Sequence, residues 1–222
     1  MKNYIRSALF VGLATLTVVN AQADTISIPG LFNTGAGITV DKATDFNYKL
    51  TDGDGNSIYG GYGEAAVGSG WPISPWLADN NTSHWLTPTD NRAQSYDSSH
   101  NGAYLWTLEF DLSGFNASTA SFAGRFSADN NATAYFNGEI IGSAAGFSQW
   151  YNFAAASHLF VAGINTLEFL VTNVKQSAGN PTGLRVEFTS SQVAAVPVPG
   201  AVWLFLSGLF GVLALKRKAA SF

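Results

Sequence analysis

The side chains of this 222-residue chain that could do chemistry are carboxylates, imidazoles and aromatic rings, since it contains no cysteine. That absence removes thiol nucleophiles, thiolate metal sites and disulfides. Asp52-Gly53-Asp54-Gly55-Asn56 places oxygen ligands at alternate positions, the spacing with which a calcium loop begins. The continuation departs from that pattern, because Ser57 stands where such a loop needs Gly and Gly63 where it needs Glu. A polar turn is the better reading of Asp52, Asp54 and Asn56, with calcium as the weaker one. Glu109 with Asp111, and Glu139 with Glu168, are the carboxylate pairs that could cleave a glycosidic bond. On strands the same spacing describes an outward, solvated face, so no catalytic residue is assigned and the chain is expected not to be an enzyme. His84, His100 and His158 share no metal-binding spacing and read as surface or capping residues. No nucleophile elbow, phosphate-binding loop or dinucleotide fingerprint occurs, and no cofactor is implied.

Flat rings offer a second kind of chemistry. Trp71-Pro72-Ile73-Ser74-Pro75-Trp76 and the run from Asn80 to Trp85 are rich in prolines and amides and read as loop. Tryptophans there have two readings. They cap the end of a β-sandwich core, or they line a platform on which pyranose faces stack. Gln149-Trp150-Tyr151 sits where loop passes into strand and could expose rings in the same way. Trp71, Trp76, Trp85, Trp150 and Tyr151 are therefore the candidate glycan-binding residues.

Strands must position these groups. Along 103–112, Tyr104, Trp106, Leu108, Phe110 and Leu112 alternate with Thr107, Glu109 and Asp111, the period of a half-buried antiparallel strand. Ala120, Phe122, Gly124 and Phe126 alternate with Ser121, Arg125 and Ser127, and Leu167, Phe169 and Val171 with Thr166, Glu168 and Thr172. Asn137-Gly138 between two apolar runs marks a type I′ hairpin. Leu184, Val186 and Phe188 alternate with Arg185 and Glu187, and 190–195 reads as a short linker. No helical period of useful length appears between Asp24 and Ser191. The fold class expected is all-β, an antiparallel sandwich or jelly roll over 24–191. Sequons at Asn81, Asn116 and Asn131 are explained by turn chemistry.

Apolar segments flank this body. In 1–23, Lys2 and Arg6 precede an apolar run, and Ala21-Gln22-Ala23 forms a small-residue cleavage site, so the mature chain should begin at Asp24. This reads as a secretory signal for the Sec translocon and signal peptidase. At the other end, Val196-Pro197-Val198-Pro199 is stiff and extended. An uncharged run over 200–215 follows, read as a transmembrane helix, and Lys216-Arg217-Lys218 ends it. By the positive-inside bias those cations stay cytoplasmic and the bulk of the chain lies across the membrane.

The tail over 192–222 resembles the PEP-CTERM sorting signal of Gram-negative bacteria, and Val196 to Phe205 is similar to its VPxP-x-AVWLF form. Val198 stands where the name-giving motif has Glu. The resemblance implies an exosortase as processing partner and an association with exopolysaccharide and biofilm. The stretch from Leu105 to Phe188 also resembles a galactose-binding-like jelly roll. The matching segments are Ala128-Asp129-Asn130, Ala134-Tyr135-Phe136-Asn137-Gly138, Gly163 to Phe169, and Asn180-Pro181-Thr182-Gly183-Leu184-Arg185-Val186.

Between Asp24 and Glu187 lie all 15 acidic residues and only six basic ones, Lys42, Lys49, Arg92, Arg125, Lys175 and Arg185, for a net charge of −9. A domain this acidic repels nucleic acid. The functional expectation is an exported, non-catalytic protein of the cell envelope or extracellular matrix. It is held, at least transiently, in the inner membrane by its tail. The alternatives are a lectin-like module binding extracellular polysaccharide, and then a structural matrix subunit or glycan-active enzyme.

Overall fold

Strand β5 (Gly102–Asp111) shows how the sequence alternation becomes structure. Tyr104, Trp106, Leu108 and Phe110 turn inward and are buried, while Glu109 and Asp111 stay exposed. In this computed structural model the described residues are 24–68, 71–72 and 74–196, with Phe205 and Leu209 beyond them. The signal segment with its cleavage residues Ala21 and Ala23, most of the sorting tail (Pro197, Val198, Pro199, all but two residues of the 200–215 helix) and the stop at Lys216, Arg217 and Lys218 lie outside them. Among the described residues no helix is long and apolar enough to cross a membrane.

Asp24–Val196 forms one compact unit. Its other strands are β1 (Thr25–Ile26), β2 (Thr44–Asp52), β3 (Ser57–Ala66), β4 (Trp85–Thr87), β6 (Phe115–Asp129), β7 (Asn131–Phe136), β8 (Glu139–Ala145), β9 (Tyr151–Ala155), β10 (Ile164–Asn173) and β11 (Gly183–Ala195). The expected all-β antiparallel class holds. All of them join one 11-stranded sheet in the order β8-β7-β10-β5-β2-β3-β4-β11-β6-β9, with β1 on β11. The pairings are antiparallel, including the ten-residue ladder of β10 on β5 and the bulged ladder of β11 on β6.

The sheet folds over until its ends nearly meet. At Gly142 in β8 a Cβ would lie 2.9 Å from Phe153 Cβ and 3.0 Å from Asn152 O, both in β9. Between the two layers, Phe122 and Phe126 of β6 pack on Phe136 of β7 and Phe169 of β10, with ring centroids 5.1 and 5.3 Å apart. Strands β6 and β10 share no ladder, so these edge-on and tilted rings are the contact between layers. The β7–β8 hairpin turns at Asn137 and Gly138, with φ of 49° and 87°, as the Asn-Gly pair predicts.

Two segments differ from the sequence reading. Residues 190–195 are strand, not linker: Val193 is fully buried and pairs with Ile26, and Ala194 pairs with Asn116. Trp85 belongs to strand β4, between β3 and β11, rather than to a loop. In both places the run is too short or too polar for its period to show.

Candidate functional site

The outward face of β6 and β11 should be solvated if the alternation were the whole story. It is not. Ser127, Asp129, Arg185 and Glu187 all point away from the core, and all are buried. The segment 71–84 lies over them. Arg185 Nη1 donates to Ala78 O at 2.5 Å and its Nε to Ser83 Oγ at 2.7 Å. Glu187 accepts from Asn80 Nδ2 at 3.0 Å, Ser83 Oγ at 2.8 Å and Arg125 Nε at 2.8 Å. Burial pushes the Glu187 carboxyl up, but these hydrogen bonds outweigh it and hold the group below its ordinary value. Burial pulls the Arg185 guanidinium down from its usual range. His84 belongs to this layer too, with Nδ1 2.7 Å from Asp79 Oδ1, so it is a buried partner rather than a surface residue.

The same covering segment carries the tryptophans. Trp71, Trp76 and Trp85 form one cluster, with centroids 4.6 Å apart for Trp71–Trp76 and 4.4 Å for Trp76–Trp85. Trp85 is fully buried, and its indole N–H donates to Leu77 O at 2.9 Å. The Trp76 ring seats against Gly183, where a Cβ would stand 3.3 Å from the ring and 2.7 Å from Leu86 O. The three rings pack on one another, with Trp71 and Trp76 each 8% exposed and Trp85 fully buried, the packing that the capping reading describes. Trp71 and Trp76 also line a cavity. With Phe147, 5.5 Å from Trp76, they wall a pocket of about 280 Å³.

Across that pocket stand Asp129, Asn130, Gln176, Asn180 and Pro181. Asp129 ends β6, pairs with Gly183 of β11, and is only 4% exposed. Its backbone O accepts from Thr182 Oγ1 at 2.6 Å. Its side chain is different: Oδ1 is buried and has no hydrogen-bond partner among the described residues. Burial raises this carboxyl from 3.8 to about 7. The neighbouring amides are already engaged. Asn130 Oδ1 accepts from Val174 N at 2.6 Å, and Asn180 Nδ2 donates to Tyr96 O at 2.8 Å. The pocket thus joins mostly apolar walls to one buried acceptor that no donor among the described residues meets.

The other sequence candidates lie elsewhere. Trp150 covers Arg125 and Arg185, whose guanidinium carbons are 4.5 and 5.1 Å from its ring centroid. The Tyr151 hydroxyl donates to Ala145 O at 2.7 Å and accepts from Gln149 at 2.8 Å. Neither lines the Asp129 pocket. Asp52 spends its carboxylate on its own turn, accepting from Asp54 N at 2.9 Å, Asn56 N at 2.8 Å and Asn56 Nδ2 at 2.9 Å. No cluster of three or more His, Cys, Asp or Glu able to hold a metal occurs among the described residues. Glu109 pairs with exposed Lys49 at 2.6 Å, a surface contact.

No family model matches the chain, and no curated protein matches it. Among solved structures it is similar to a β-glucuronidase from glycoside hydrolase family 2, at 13% identity and a TM-score of 0.34, covering 67% of this chain and 18% of that one. It is also similar to an FMN-binding β-glucuronidase from Facaelibacterium prausnitzii L2-6, at 14% identity and a TM-score of 0.32, covering 75% of this chain and 23% of that one. A third likeness is to the CBM36-1 domain of a multidomain xylanase from the hindgut metagenome of Trinervitermes trinervoides, at 15% identity and a TM-score of 0.24, covering 68% of this chain and 100% of that one. The chain thus spans about a fifth of the two glucuronidases.

Proposed function

We propose that this protein is an exported, non-catalytic carbohydrate-binding domain whose ligand enters the pocket between Trp71, Trp76, Phe147 and Asp129. The observation that carries the reading is the Asp129 carboxyl, buried and without a donor in a pocket walled by aromatic residues. A sugar ring presents C–H surface to apolar walls and hydroxyl donors to a carboxylate, so it meets both demands at once. Binding is favoured over hydrolysis because the pocket's described lining holds one carboxyl, whereas glycosidases ordinarily work with two. Affinity electrophoresis of the mature protein across a panel of extracellular polysaccharides tests this. Retardation by at least one glycan, lost on Asp129→Ala with the fold intact, is expected. Unchanged mobility across the panel contradicts it.

Export and sorting rest on the terminal segments. The signal-like start and the PEP-CTERM-like tail support translocation by Sec, cleavage before Asp24 and exosortase processing near Val196, with delivery to the envelope or matrix. A mass spectrum of the mature protein should give Asp24 as its first residue and a C-terminus near Val196–Pro199. An intact Met1 would contradict the export reading.

A further inference from the structure

The charge inside the Asp129 pocket sets what kind of sugar it can take. Asp129 is the only ionisable side chain in the described lining; the rest is indole, phenyl, proline, amide and small residues, with no Lys or Arg. Each pocket amide is engaged through one atom with a backbone partner, Asn130 Oδ1 with Val174 N, Asn180 Nδ2 with Tyr96 O, and Gln176 Nε2 with Ala178 O at 2.7 Å. The one buried side-chain atom of the described lining left without a partner belongs to a carboxyl group, and as a carboxylate it can only accept. Oδ1 is sealed from solvent, so a donor on the ligand meets the carboxyl through Oδ2, which makes no hydrogen bond to the described residues. The volume, about 280 Å³, is just under the usual range for ligand pockets, which fits one ring rather than a chain laid along a groove.

We infer that the pocket binds a single uncharged sugar ring, a chain end or side branch, whose hydroxyls donate to Asp129, and that it rejects the corresponding uronic acid. This rests on the carbohydrate-binding reading above and sharpens it to a substrate class. A uronate would bring a second negative charge next to a carboxylate that no cation offsets, in a site where water screens little. Among the described lining residues no other titratable group faces Asp129; on the segments that supply the lining, Arg92 pairs with Asp41 and lies 6.0 Å from the Trp71 centroid, and Lys175 is exposed. Strand β11 offers Gly183, the loop before it Thr182, and the covering loops Phe147, Trp71 and Trp76. Burial alone accounts for its raised titration, so its charge, and with it the discrimination, should fade in mild acid.

Calorimetric titration of the mature protein decides the point. The probes are the methyl glycosides of glucose, galactose and mannose, and those of glucuronic and galacturonic acid. At about pH 8 at least one neutral glycoside should bind about tenfold or more tighter than its uronic counterpart, and the gap should narrow at about pH 5.5, where Asp129 holds a proton. Asp129→Asn, checked for native circular dichroism, should shrink the gap to about threefold or less at both pH values, because the amide keeps the shape without the charge. A uronide bound as tightly as its neutral partner by the unaltered protein at the higher pH overturns the charge selection and leaves sugar binding standing. A wild-type gap that persists unchanged in Asp129→Asn overturns the role of Asp129. Binding of none of the five probes overturns the pocket reading and this inference together.

Discussion

Asp129 shows what a single residue contributes and why the sequence concealed it. By parity along β6 it belongs to the outward set with Ser121, Arg125 and Ser127, so a pattern of period two assigns it to solvent. Only the covering layer, which comes from about 50 residues earlier and later in the chain, makes it buried. The resemblance to a galactose-binding-like fold included Asp129 only within the segment Ala128-Asp129-Asn130; nothing local marked it as an unpaired carboxyl. Its titration has a consequence for stability. The folded-state value near 7 lies above the ordinary 3.8, so between them the folded protein holds a proton that the unfolded chain has released. Stability should fall as pH rises through that window and level off above it. Asp45, fully buried and also raised by burial, acts in the same direction. Urea midpoints measured from about pH 4.5 to about pH 8 should decline, and Asp129→Asn should flatten much of the slope. Glu187 works the other way, as the counter-charge to a fully buried Arg185. Glu187→Ala should cost about 3–5 kcal/mol in the same assay, because it leaves that guanidinium uncompensated.

Elements were legible where one face is buried and the other open. Strands β5 and β10, the inward set of β6 and the β7–β8 turn all follow from alternation and from Asn137-Gly138. Strand β3 was legible only in part, since Gly60, Gly61 and Gly63 interrupt its period. Gly63 leaves room for the Trp106 ring, which would stand 2.3 Å from a Cβ there. Gly124 in β6 plays the same part: an added Cβ would lie 2.5 Å from the Phe153 ring and 2.7 Å from Glu187 O. The second neighbour is backbone and cannot rotate away. Gly124→Ala should therefore destabilise by about 1–3 kcal/mol, read as a lowered urea midpoint with an unchanged slope. Strand β4 escaped notice because its three residues, Trp85, Leu86 and Thr87, are all buried and so carry no alternation.

At the scale of the molecule, the tryptophan-rich segment makes one face of a nearly closed sheet into a second buried layer. That layer holds the charged network of Arg125, Arg185 and Glu187 at one side and the Asp129 pocket at the other. The body ends later than a sequence boundary at Ser191 allows. A chain cut after Ser191 should lose at least about 2 kcal/mol relative to one cut after Val196, because Val193 is fully buried and clamps β11 to β1. The central claim concerns where a sugar sits. It is tested most directly by nuclear magnetic resonance of the labelled mature protein titrated with the neutral methyl glycosides. The account predicts that the indole signals of Trp71 and Trp76 and the amides of Asp129, Asn130 and Asn180 move together and saturate. Shifts concentrated instead around the exposed Phe32 and Phe46 on the opposite region of the sheet, with the Asp129 pocket silent, would contradict it.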